Sequence, residues 1–275
     1  ESCCMRICQL AVGSKGVGLQ DGAVVRDAGS LAMSLAEALE RGVTQGLARR
    51  ELDELPMIPA SALRFGSLAS GRIFCVGKNY RAHAAEMGGA PPANINIFTR
   101  FPDSVVGHGE PLAHPGAAHQ YDYEGELAVV IGKPGRRIAT ANAMDHVAGY
   151  TLFMDGSVRD YQKHSFFAGK NFTDSGACGP WFVPAAEIAD PHALQLTTTV
   201  NGELRQNAST GDMVFSIATV IAYLSAVLLL QSGDIVATGT PEGVAAGRTP
   251  PLWLAVGDRV EVTINPIGTL SNCVS

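Results

Sequence analysis

The sequence predicts a strand-rich α+β fold whose main body is a rolled mixed sheet, preceded by a small N-terminal region. Three observations point there. Short apolar runs recur over residues 126–131, 146–153, 194–200, 234–238 and 258–264, the pattern of strands bounded by turns. The doublets Asn201-Gly202, Ser232-Gly233 and Val256-Gly257 supply turns between them. With 31 Gly and 15 Pro among 275 residues, turns should be many and helices few. The helical patterns neither alternate regularly with strands nor gather at one end, so a regularly wound α/β fold is not expected.

Taken in order, residues 6–12 and 17–25 read as strands separated by Gly-rich turns, and residues 31–41 as a helical stretch. Residues 48–59 are charged and Pro-bounded and read as a linker. A strand over 73–76 and a helix over 80–87 open the second region, and the strand-rich body follows from residue 97 to 273. The expected division is a small domain over 1–70 and a main domain over 71–275, with Met5 as the natural start and residues 1–4 extraneous. Residues 213–231 form the longest uncharged stretch, at the short end of membrane-spanning length and interrupted by Ser216, Thr219, Tyr223 and Ser225. A buried helix preceded by Asp212 and stopped near Gly233 is the better reading, so no membrane association is expected.

Hydrophobic residues at 46% and charged ones at 17% fit a globular protein with a core, which excludes a disordered chain. The net charge of −6 without any Lys/Arg cluster argues against nucleic acid as a partner. Cys3, Cys4, Cys8, Cys75, Cys178 and Cys273 form no CxxC pair and have no histidine at zinc spacing. Reduced thiols in the cytoplasm are therefore expected. No cationic start leads into an apolar run, so no signal peptide is read.

Asp122, Glu124 and Glu126 alternate ahead of Leu-Ala-Val-Val-Ile. On one strand such residues share a face, roughly 6.5–7 Å apart at about 3.3 Å per residue. A solvated strand face is one reading. The apolar continuation favours the other: the strand enters the core, where a bound divalent cation would offset the repulsion. Asp155, after the apolar run 146–153, is either a further ligand or a cap for residues 157–162. All-oxygen ligands favour Mg²⁺ or Mn²⁺.

His83 and Glu86 stand at i, i+3 on the helix 80–87, either a general-base pair or a surface ion pair. Lys170, inside Phe166-Phe167-Ala168-Gly169-Lys170, either holds an anionic oxygen or snorkels from the surface. Arg159 and Gln162, one turn apart, can face one pocket. The turn Thr238-Gly239-Thr240-Pro241-Glu242-Gly243 offers N–H and hydroxyl donors that suit a carboxylate, or is an ordinary Pro-Gly turn.

In order and spacing, these pieces resemble the fumarylacetoacetate hydrolase family. The runs that carry the likeness are Val76-Gly77-Lys78-Asn79-Tyr80-Arg81-Ala82-His83, Asp122-Tyr123-Glu124-Gly125-Glu126, Asp155-Gly156-Ser157-Val158-Arg159-Asp160, Gly169-Lys170-Asn171-Phe172 and the stretch from Gly233 to Val244. The resemblance covers residues 70–275 and implies a mixed β-sandwich roll with a small N-terminal domain, usually dimeric. It implies Glu124, Glu126 and Asp155 as ligands of Mg²⁺ or Mn²⁺, with His83 and Glu86 as a base dyad and Lys170 as the enolate stabiliser. Arg159, Gln162 and Thr240 would bind substrate. The expected activity is hydrolytic cleavage of a C–C bond in a small 2,4-dioxo acid, of acylpyruvate or fumarylpyruvate type, in aromatic-compound catabolism. The alternatives are decarboxylation, hydration or isomerisation of a related 2-oxo acid through a metal-bound enolate. A metal-stabilised scaffold would keep the carboxylates and lose the His83–Glu86 pair; both are present. The chain departs from the family's usual Asn-Asp-Val-Ser at Met154-Asp155-Gly156-Ser157, and from Lys-Pro-x-Ser at Arg100-Phe101-Pro102-Asp103-Ser104.

Overall fold

The structure, a computed structural model, describes residues 5–116 and 119–275. Its central element is the strand Gly125–Ile131, buried at every residue. A run that stays apolar on both faces after Glu126 is what a strand covered from both sides requires. It pairs antiparallel with Val147–Met154 on one flank and Ile235–Ala237 on the other. Ile235–Ala237 runs parallel to Ile73–Gly77, which pairs antiparallel with Asn96–Arg100. Beyond Val147–Met154 lies Gly176–Pro184. Together with the N-terminal strands they form one mixed sheet of 12 strands.

A second sheet, ordered Glu203–Ser209, Gln195–Val200, Arg259–Ile264, Gly268–Cys273, covers one face of the first. Gln195–Val200 and Arg259–Ile264 bury alternate residues, as strands with one solvated face do. Leu127, Val129 and Leu152 of the large sheet and Leu196, Val262 and Leu270 of the small one belong to one core cluster. The large sheet also rolls. Arg100, on the last strand of one flank, hydrogen-bonds to Asp155 and Gly156, which follow a strand on the far side of Gly125–Ile131. The strand-rich α+β class and the mixed roll expected from the sequence are what the structure has.

The N-terminal region is built onto one edge of this sheet. Ile7–Leu10 meets Gly176–Pro184 at Ile7–Phe182, and also pairs with Val17–Asp21 and Phe65–Gly66. Ile7, Val17, Leu35 and Leu52 share a core cluster with Ala128, Val130, Phe153 and Phe182 of the main body. Two expectations need correction here. Residues 17–25 are not one strand: Val17–Asp21 and Val24–Asp27 are separated by a turn at Gly22, whose φ of 60° suits glycine. Residues 48–59 are not a linker but a helix, Arg49–Glu54, and a short strand, Met57–Ile58, paired with Val24–Asp27. Leu52 is buried, while Arg49 pairs with Asp53 and Asp21 on the outside, so the charges that suggested a linker belong to one solvated helix face.

The uncharged stretch 213–231 holds the helix Ile217–Val227, capped by Ser216, whose side chain accepts the Thr219 N–H, with Asp212 in a preceding 3-10 turn; it ends at Val227 and not near Gly233, because Leu228 is extended and Leu230 pairs with Gly135. No helix among the described residues is long and apolar enough to cross a membrane. Cys8, Cys75 and Cys178 are buried free thiols. Cys3 and Cys4 lie outside the described residues.

Candidate active site

The site forms where strand ends converge. Gly125 pairs with Met154, so Asp155 leaves its strand beside Glu124, and its N–H donates to the Glu124 carbonyl at 2.8 Å. One oxygen each from Glu124, Glu126 and Asp155 lies within 4.8 Å of the others, and all three side chains are buried. Asp122 is not part of this row. The strand breaks at Tyr123 and Glu124, and Asp122 sits in a separate ladder with Ser157. There it accepts the N–H groups of Ala245 and Ala246 at 2.7 and 3.1 Å and the Arg159 Nε at 2.9 Å. Asp155 caps no helix; both its oxygens serve buried cations.

Those cations divide the carboxylates among them. Lys170 Nζ donates to Glu124 Oε2 and Asp155 Oδ2, each at 2.6 Å. Arg159 Nη2 donates to Glu124 Oε1 at 2.6 Å and its Nη1 to Gln162 Oε1 at 2.9 Å. Arg100, 2% exposed, donates to Asp155 Oδ1 at 2.7 Å and to the Gly156 carbonyl at 2.9 Å. Burial alone would raise the Glu124 carboxyl, but Lys170 and Arg159 outweigh it and bring it down to about 2. Burial would likewise lower the Lys170 ammonium, and Asp155 and Glu124 reverse that, holding it above its ordinary value.

Glu126 is different. Its Oε2 accepts the Gly239 N–H at 2.8 Å, and among the described residues no Lys or Arg pairs with it. Burial, then the charges of Asp155 and Glu124, push its carboxyl well above the ordinary range. A buried carboxylate left without a cation, in a cluster of hard oxygen donors, is the arrangement a divalent cation resolves. The residues therefore fit Mg²⁺ or Mn²⁺, which Glu124, Glu126 and Asp155 would hold.

His83 arrives from the other side of the sheet end. After the strand Ile73–Gly77 the chain turns through Lys78, at φ 57°, into the helix Arg81–Glu86. Asn79 locks the turn: its side chain donates to the Thr238 and Phe215 carbonyls and accepts the Phe215 N–H. His83 is buried, so it is not a surface pair with Glu86. Its Nδ1 lies 3.2 Å from Glu86 Oε2, while Glu86 Oε1 accepts the Gly243 N–H at 2.9 Å. With Nδ1 engaged, Nε2 is the nitrogen left for a substrate proton.

A cavity of about 200 Å³ joins the two sides. His83, Glu124, Glu126, Arg159, Gln162, Lys170 and Thr240 line it, with Lys78 and the apolar Val76, Met87, Phe98 and Phe166. Glu86 and Asp155 stand behind His83 and Lys170, so the nine residues to which the resemblance gives roles come together. The turn 238–243 plays another part than expected. Its Gly239 and Gly243 N–H groups hold Glu126 and Glu86, the protein's own carboxylates, and the Thr240 hydroxyl donates to the Gly125 carbonyl at 3.0 Å.

Sequence reasoning passed over Arg100, Gln206 and Lys78. Arg100 ends the run Ile97-Phe98-Thr99, and a base in an apolar strand is the same signal that singled out Lys170. Gln206 had no local signal: its amide accepts the Gly125 N–H and donates to Thr240 Oγ1 and the Pro241 carbonyl, contacts that exist only once the sheets pack.

Residues 72–275 match the family model described as fumarylacetoacetate (FAA) hydrolase C-terminal. The oxaloacetate tautomerase YisK of Bacillus subtilis (strain 168) is 50% identical over 208 residues, 74% of this chain and 69% of that protein. The solved fumarylacetoacetate hydrolase from Exiguobacterium antarcticum superposes with a TM-score of 0.85 at 35% identity, over 98% of this chain and 99% of that one. A fumarylpyruvate hydrolase from Pseudomonas aeruginosa, solved in complex with Mn²⁺ and pyruvate, superposes with a TM-score of 0.68 at 35% identity, over 74% and 89%. With its rolled mixed sheet and buried acidic cluster, this chain belongs to the fumarylacetoacetate hydrolase family.

Proposed function

We propose that this protein is a divalent-metal-dependent enzyme that interconverts the keto and enol forms of a small 2-oxo acid of oxaloacetate type. The observation that carries the reading is a single cavity walled by buried His83, which Glu86 backs, and by Glu124, Glu126 and Lys170, which bridges Glu124 to Asp155 behind it. When bound, Mg²⁺ or Mn²⁺ would polarise the 2-oxo acid and acidify the neighbouring C–H. His83 takes the proton from the carbon beside the carbonyl, and Glu86 stabilises the imidazolium that results. Lys170 lies where it can face the negative charge developing on the carbonyl oxygen. Delivered to the oxygen, that proton completes enolisation; in the reverse direction His83 takes the enol hydroxyl proton and a proton is delivered to the carbon. The likeness to a tautomerase at 50% identity supports this over the hydrolysis expected from the sequence.

Hydrolytic C–C cleavage is the second reading. It is favoured by the same dyad, acting on water, and by the likeness to a fumarylpyruvate hydrolase. NMR of oxaloacetate, an acylpyruvate and fumarylpyruvate in D₂O with Mg²⁺ separates the two. Tautomerisation shows as accelerated keto–enol relaxation and deuterium entry beside the carbonyl with the carbon skeleton intact. Pyruvate plus a second acid from the dioxo acids, without such exchange on oxaloacetate, would overturn the first reading.

A further inference from the structure

We infer that Lys78 sets the specificity of this cavity by holding the second carboxylate of an oxaloacetate-type substrate. The inference rests on the 2-oxo acid reading above and adds to it the chemistry of the substrate's far end.

Three cationic side chains line the cavity, and two are already committed. Arg159 serves Asp122, Glu124 and Gln162, and Lys170 serves Glu124 and Asp155. Lys78 forms no hydrogen bond or ion pair with any described residue. It is exposed, and its ammonium stands beside Gly89, just past the helix that carries His83: a Cβ built at Gly89 would come 3.9 Å from Nζ. Lys78 is thus the one Lys or Arg of the cavity, among the described residues, that has no carboxylate partner within the protein.

The backbone gives this placement weight. Lys78 adopts φ 57°, in the left-handed region, where a side chain is disfavoured and glycine is easiest. The conformation is enforced by the residue that follows it. Asn79 is clamped to Thr238 and Phe215, and the Val214 N–H donates to its carbonyl. A strained residue held by its surroundings at the lip of a cavity is a functional signal when its side chain enters that cavity.

The rest of the wall narrows the chemistry. Its apolar part is Val76, Met87, Phe98 and Phe166, and it begins at the cluster, where the Phe98 ring centroid lies 5.2 Å from Lys170 Nζ. A 2-oxo acid whose reacting end lies at the cluster sends its tail along this wall toward the rim. An alkyl tail there meets an unpaired ammonium, whereas a carboxylate tail forms a charge-assisted hydrogen bond next to apolar surface.

The test compares oxaloacetate with 2-oxobutanoate, in which a methyl group replaces the second carboxylate. Binding to the Mn²⁺-loaded protein is measured by calorimetry, and turnover separately. The wild type should bind the diacid about tenfold or more tightly than the monoacid. Lys78→Met keeps length and backbone strain but removes charge. It should erase that preference by weakening the diacid alone, with KM for the diacid rising far more than kcat falls, and Lys78→Arg should restore it. A wild type without preference, or a Lys78→Met that weakens both acids alike, overturns the inference. The preference and its loss in Lys78→Met, seen without turnover of either acid, uphold Lys78 and overturn the tautomerase reading. Turnover with an undiminished preference in Lys78→Met does the reverse.

Discussion

At the scale of single residues, Glu126 and His83 show how burial turns a side chain into chemistry. Glu126 has one backbone donor and no cationic partner among the described residues, while two charged carboxylates stand close by. Glu126→Gln keeps an oxygen for the Gly239 N–H and removes the repulsion. The metal-free variant should therefore melt higher than the wild type, by roughly 1 kcal/mol or more of stability. The rise in melting temperature on adding Mn²⁺ should shrink, because the amide lacks the charge that offsets the ion's desolvation. A variant that melts lower without metal and keeps the full Mn²⁺ response would remove Glu126 from the ligand set. His83→Gln should lower turnover by roughly 10²–10⁴, the usual contribution of a positioned base. It should keep the Mn²⁺-dependent stabilisation, since imidazole is not a ligand here. Glu86→Gln should cost less, because the amide oxygen still accepts the Gly243 N–H. Near-normal turnover in His83→Gln would take the dyad out of the reaction.

At the scale of elements, the site depends on how closely two sheets approach. Gly125 lies between Glu124 and Glu126, and a Cβ there would come 2.1 Å from Thr198 Oγ1 and 3.1 Å from a Val262 methyl, both on the small sheet. Glycine at this position permits the contact that seats both carboxylates. Gly125→Ala should destabilise the protein by roughly 1–3 kcal/mol through overpacking, visible as a lower urea midpoint. It should also weaken Mn²⁺ binding by displacing the flanking carboxylates. Unchanged Mn²⁺ affinity in a folded variant would show that the sheet contact does not set the ligand geometry. Elements with strong apolar runs, such as Gly125–Ile131 and Val147–Met154, were legible in the sequence. Gly176–Pro184 was not: its Gly176, Gly179 and Pro180 resemble a loop, and only its pairing with Val147–Met154 makes it a strand.

At the scale of the whole molecule, a metal held by residues of different strands couples binding to folding. Glu124 and Glu126 come from one strand end and Asp155 from its neighbour, so an ion bound by all three favours the folded state. At free Mg²⁺ or Mn²⁺ about a hundredfold above Kd the gain should be about 2.7 kcal/mol, and EDTA should remove both it and the turnover. Full activity after exhaustive chelation would refute the metal dependence. The homodimer implied by the family resemblance is a proposal at this scale. Sedimentation at micromolar concentration should show twice the chain mass, and a monomer would exclude it.

The sequence by itself determined the family, the strand-rich class and nine of the side chains that gather at the cavity. It did so because the order and spacing of short motifs survive without any knowledge of packing. Local pattern also located the main helix and the turn doublets, since caps, glycines and periodicity act over a few residues. The tertiary structure alone decided the rest. It placed Asp122 outside the acidic cluster, because a strand break is set by the ladder with Ser157 rather than by alternation. It assigned the turn 238–243 to the protein's own carboxylates, and it brought Arg100 across the roll to Asp155. It left Lys78 unpaired while committing Arg159 and Lys170. Each of these depends on contacts between residues far apart in the chain, and charges and donors find their partners only after the sheets have closed.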